Sequence, residues 1–157
     1  MQNQHRRQLV HHTRAAADAH VSFTQQSIGF DRSQALVKEV DNQVTYTLQR
    51  GSASVIVTVV HRVEQKAVYL RVASPVMTPG DGPREGLYKR LLELNAAGLA
   101  NAAFALLGDK IVAVSERPAE GLDEGEVEQI VRHLSAVADT YDDRLVKEFG
   151  GKRASDK

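Results

Sequence analysis

Between Val44 and Val72 the side chains alternate with a period of two, and no helix can accommodate that pattern. Val44, Tyr46 and Leu48 interleave with Thr45, Thr47 and Gln49, as a half-buried strand requires. After the turn signal Arg50-Gly51-Ser52, residues 54–61 read SVIVTVVH. That run is β-branched almost throughout, so it predicts a central strand covered on both faces. A polar turn from Arg62 to Lys66 leads to Val68, Leu70 and Val72, alternating with Tyr69, Arg71 and Ala73. Three strands joined by two short turns predict an antiparallel meander. Residues 35–40 either open the first strand or form an irregular lead-in.

Helical spacing brackets this block. Val10, Ala17, Val21 and Ile28 fall near one face, with Phe23 beside them, which predicts a helix over 12–28 ended by Gly29. Pro75 and the run from Thr78 to Pro83 break the strand pattern, and Pro83 suits the first position of a new helix. Leu87, Leu91 and Leu94, flanked by Tyr88 and Leu92, form its apolar stripe, and Asn95 or Gly98 ends it. Residues 102–107 and 110–115 around Gly108-Asp109 read as a β-hairpin. Asp123 with Glu126 is a capping-box pattern opening a helix to Phe149, stopped by Gly150-Gly151. Its apolar positions include Val127, Ile130, Val131, Leu134, Val137, Tyr141 and Leu145.

The expected fold is α+β, ordered α-β-β-β-α-β-β-α, with an antiparallel five-stranded sheet flanked by helices. Residues 1–13 are a polar lead-in, 14–149 one domain and 150–157 a mobile polar tail. The core is expected to hold Leu87, Leu91, Leu94, Val127, Ile130, Leu134, Val137 and Tyr141.

Chemistry is sparse. The 157 residues carry 20 Lys plus Arg against 20 Asp plus Glu, which argues against a polybasic nucleic-acid binder. The chain has no Cys, so disulfides, zinc–thiolate sites and thiol catalysis are excluded. It has no Trp, and its aromatic share of 5% gives no base-stacking platform. The first residues lack an apolar stretch of signal-peptide type, and no apolar run has spanning length, so a cytoplasmic location is expected and membrane contact is not.

His5, His11, His12 and His20 contain no i, i+4 pair; His61 and His133 read as capping or surface residues. The acids between Glu116 and Glu128 lack calcium-loop spacing and suit a helix start. PGDGPREG matches no phosphate-binding loop, and Ser52, Ser54, Ser74 and Ser115 have no nucleophile-elbow context. The adjacent acids Asp142 and Asp143 point apart on a helix. No catalytic residue, cofactor or metal site is expected.

Three stretches carry a family resemblance: GLYKRLLELN (86–95), AAFALLGDKIVAVSERP (102–118) and GLDEGEVEQIVRHLSAVADTYDDRL (121–145). With VTYTLQRGSASVIVTVV and VYLRVASPV upstream, they resemble the YbjN family, described as bacterial sensory transduction regulators. The fold of that family is similar to class I type III secretion chaperones. The resemblance spans roughly residues 14–149 and rests on structural rather than catalytic signatures; the segment from Phe30 to Glu39 is longer and more polar than the family's usual start.

The resemblance implies a non-enzymatic protein-binding or regulatory module that forms a homodimer and holds a protein segment on its surface. The alternative it implies is a class I type III secretion chaperone holding an extended client. Such chaperones are markedly acidic, whereas this chain is neutral, which favours the regulator. Tyr46 and Tyr69, on the strands either side of SVIVTVV, are the candidate partner-binding residues. The competing reading is that both merely cover the sheet beneath a helix.

Overall fold

The computed structural model describes residues 36–40, 42–50 and 53–156, so the helix expected over 12–28 lies outside the described residues. The order is β1 (Leu36–Val40), β2 (Gln43–Arg50), β3 (Ala53–Arg62), β4 (Ala67–Thr78), α1 (Glu85–Ala97), β5 (Ala103–Leu107), β6 (Lys110–Pro118), α2 (Glu124–Phe149) and β7 (Lys152–Arg153). Six strands lie side by side as β1-β2-β3-β4-β6-β5, every neighbouring pair antiparallel, and β7 pairs with the end of β4. The α+β class and the antiparallel meander are as expected. The sheet is larger than five strands, because residues 36–40 pair with β2 and the C-terminal segment adds β7.

The alternation in sequence becomes two chemically different faces. One face carries Val44, Tyr46, Leu48, Val55, Val57, Val59, Leu70 and Val72, all buried. The opposite positions of β3, Ile56, Thr58 and Val60, stay half-buried. Among the described residues, helices therefore cover the central strand on one side only. β-branched residues satisfy strand propensity on either face, so an apolar run does not reveal whether its second face is covered.

β4 also departs from expectation by running through Pro75 to Thr78. Among the described residues its ladder with β3 ends at Ala73, and its ladder with β6 is irregular between Pro75 and Met77. A proline lacking an N–H is tolerated at such a break.

α1 buries Leu87, Leu91 and Leu94 as expected, while Leu92 is exposed. The helix starts at Glu85 behind Arg84, so Pro83 precedes the cap and does not occupy the first turn. Asn95 ties the end of α1 to β5: its Oδ1 accepts from Phe104 N at 2.7 Å and its Nδ2 donates to Phe104 O at 3.2 Å. The 26 residues of α2 lie across β4 and β6 and bury Val127, Val131, Leu134, Val137, Ala138 and Leu145. Ile130 and Tyr141 are only partly buried; they flank that stripe, and Tyr141 meets Phe104 edge-on at 5.3 Å.

The α2 capping box is complete. Glu126 N donates to Asp123 Oδ1 at 2.8 Å, and Asp123 N donates to Glu126 Oε2 at 3.1 Å. Asp123→Ala is therefore expected to destabilise the protein by about 1 kcal/mol in a urea melt. An unchanged midpoint would show that the helix start does not depend on the box.

The residues expected to form a mobile tail fold back. Gly150 (φ 74°) and Gly151 (φ 98°) reverse the chain, and Lys152–Arg153 pairs with Met77–Thr78. Ala154 N then donates to Val76 O at 2.9 Å. Arg153 bonds Asp156 and Asp143, which holds the Asp156 carboxyl below the usual carboxylate range. Asp142 moves the opposite way, raised chiefly by burial.

Candidate functional site

Because α1 and α2 occupy the core side, the other side of the sheet presents a concave surface enclosing about 440 Å³. The ladders arrange it in rows two residues apart. One row aligns Thr47, Ile56, Ala73 and Val114, and the next aligns Pro75, Val112 and Ala105. Ile56, Val114 and Ala105 make the accessible floor apolar, Ala73 and Val112 lie buried within it, and Leu106 and Leu107 extend it to the tip of the β5–β6 hairpin.

In the other direction Thr45, Thr58, Arg71 and Glu116 align across β2, β3, β4 and β6. The two threonine hydroxyls lie 3.2 Å apart and bond across the strands. Arg62, four residues further along β3, donates from Nη2 to Glu116 Oε1 at 2.5 Å, while Arg71 Nε stands 3.7 Å from Glu116 Oε2. The face thus runs from aliphatic to charged. It offers a complementary surface for an extended chain, and the groups lining it are aliphatic carbons, hydroxyls, one amide and three charges.

The two tyrosines lie on opposite faces. Tyr46 is 9% exposed within the core and carries sheet packing. Tyr69 aligns with Val60 on the open side, and the Arg62 guanidinium stacks over its ring at 5.2 Å from the centroid. The structure does not bring them together. The residues that sequence reasoning missed are Arg62, Arg71 and Glu116, the first read as a turn residue and the last as part of an acidic helix start. Arg62 and Glu116 are 54 positions apart, so no spacing motif could announce their pairing.

A second surface is apolar at the sheet margin. β5 ends the six-strand path, and Leu106 (52%) and Leu107 (51%) are exposed there; Leu92 (68%) projects from α1, which packs on the same strand. No helix among the described residues is long and apolar enough to cross a membrane.

Residues 30–157 match the family of T3SS (YopN, CesT) and YbjN peptide-binding chaperones, type 1. The chain belongs to this peptide-binding chaperone family. The sequence resemblance to YbjN proteins and the chaperone-like fold are thereby borne out. No curated protein matches.

Among solved structures the fold is similar to one in the crystal structure of the ExsC–ExsE complex, with 18% identity and a TM-score of 0.57 over 85% of this chain and 92% of that one. It is also similar to one in the HopA1–SchA chaperone–effector complex, with 13% identity and a TM-score of 0.51 over 76% and 88%. At these identities the likeness is one of fold.

Proposed function

We propose that this peptide-binding chaperone is non-enzymatic and holds an extended segment of a partner protein on the open face of its sheet. The observation that supports the reading is the concave apolar floor around the half-buried Ile56, Val60 and Val114, left uncovered by both described helices. Apolar patches rimmed by polar groups are characteristic of protein-binding surfaces. A strand-like segment would lay alternate side chains on that floor. Its neutral charge favours a regulatory role of the YbjN type in the cytoplasm over service as a class I secretion chaperone, and the reading involves neither nucleic acid, membrane nor cofactor.

Affinity capture from the native cell at low salt tests the site. Val114→Asp puts a charge on the apolar floor, and recovery of the partner is expected to fall about tenfold or more. Tyr69→Ala releases the stacked Arg62 and is expected to weaken recovery less. Full recovery by a folded Val114→Asp protein would remove the open face from the function.

We further propose a homodimer, supported by the exposed leucines of β5 and by its edge, which pairs with no other strand among the described residues, because exposed apolar edges in native proteins are normally covered or used. Sedimentation at micromolar concentration is expected to give twice the 17.2 kDa chain mass. A mass of 17.2 kDa without concentration dependence would overturn the dimer.

A further inference from the structure

We infer that the segment bound on the open face carries an aspartate or glutamate two residues from an apolar side chain, and that Arg71 receives its carboxylate. This rests on the open-face reading above and specifies the chemistry of its occupant.

The charged end of the face is not balanced. Arg62 and Arg71 share one acid, Glu116, so the three side chains sum to one positive charge. The acid is committed to Arg62 at 2.5 Å; at 3.7 Å Arg71 has an ion pair but no hydrogen bond to it. Among the described residues the Arg71 guanidinium donates no hydrogen bond, although its side chain is only half exposed. Arg62 also keeps a donor in hand, since its Nε is buried with no partner among the described residues. Tyr69 beneath Arg62 holds that guanidinium in place and leaves Arg71 as the group free to turn toward a ligand. A planar guanidinium with unspent donors is matched by a carboxylate.

The register sets the spacing. The row Ile56–Ala73–Val114 is two residues from the row Thr58–Arg71–Glu116, and Pro75–Val112 is two residues away on its other side. Two residues of strand span about 6.6 Å, and extended chains packed face to face run within about 30° of each other. A bound strand running along β4 therefore places successive inward side chains over the Pro75–Val112 row, over the Ile56–Ala73–Val114 row and at Arg71, in the order apolar, apolar, acidic. The sheet continues past Arg71 to Val60 and Tyr69, so the segment can run on and the acid is a side chain within it.

The test uses end-capped fluorescent peptides Ser-Val-Thr-Val-Thr-Glu-Ser, with Gln or Lys replacing Glu, titrated with the full chain at low salt. The glutamate peptide is expected to bind about tenfold more tightly than the glutamine peptide, with the lysine peptide weakest. Arg71→Gln is expected to erase the preference of glutamate over glutamine, and Arg71→Glu to favour the lysine peptide. Equal binding of all three to the wild type would overturn the acidic assignment alone. A preference surviving in Arg71→Gln would overturn Arg71 as the receiving group. Failure of every peptide to bind would overturn the open-face reading itself, and this inference with it.

Discussion

Leu134→Ala is expected to destabilise the protein by about 2–5 kcal/mol. Leu134 is fully buried midway along α2, where the helix crosses β4 and β6. Its truncation removes apolar contact and leaves a cavity between a helix and a sheet whose buried side chains include Val72 on β4 and Ile111 on β6. A long helix seated on a ladder-bonded sheet cannot collapse freely into that space, so the loss includes the cavity cost. Urea unfolding checks it: the midpoint should fall without a change in slope. Ile130→Ala, one turn earlier on the partly buried flank, should cost less than Leu134→Ala. A loss below about 1 kcal/mol for Leu134 would mean that α2 does not seat on the sheet through this stripe.

The second large effect lies at the chain reversal. A Cβ on Gly151 would stand 2.3 Å from Thr78 O, 2.9 Å from Gly80 N and 3.1 Å from Pro79 C. All three are backbone atoms, so no side chain can swing away, and the φ of 98° is itself unfavourable for any other residue. Gly151→Ala is therefore expected to detach β7 from β4. The global cost is capped by local opening, so the sensitive measurement is hydrogen exchange. The Ala154 amide, which donates to Val76 O, should lose about a hundredfold in protection, equivalent to about 3 kcal/mol. Gly82→Ala is the control: nothing lies within 4 Å of its Cβ position, and stability should hold to within about 0.5 kcal/mol. Retained Ala154 protection in Gly151→Ala would mean that the β7 pairing tolerates a displaced turn.

Much of this fold is readable from residues close together in the chain. The meander follows from alternation in Val44–Leu48 and Val68–Val72, the hairpin from Gly108-Asp109, and α2 from Asp123, Glu126 and the stripe behind them. Each signal spans fewer than a few turns or strands, the range over which backbone geometry links neighbouring side chains. The candidate site was far less legible. SVIVTVVH reads as doubly buried because valine, isoleucine and threonine promote strand formation whether or not their second face is covered. Tyr46 and Tyr69 look equivalent in the sequence, yet their odd–even positions relative to the pleat send one into the core and leave the other under Arg62.

By itself, then, the sequence determined the antiparallel α+β class, the bounds of α1 and α2 to within a residue or two, the position of the hairpin turn, and the family resemblance, because all of these are written in local period and turn chemistry. Tertiary structure alone decided which face of the sheet α1 and α2 would cover, that β4 would continue past Pro75 to receive β7, and that Arg62, Arg71 and Glu116 would meet. Those outcomes depend on ladder register between β3, β4 and β6 and on helix docking, which link residues dozens of positions apart. A charge at the end of a strand gains its partner only when the neighbouring strands arrive in register.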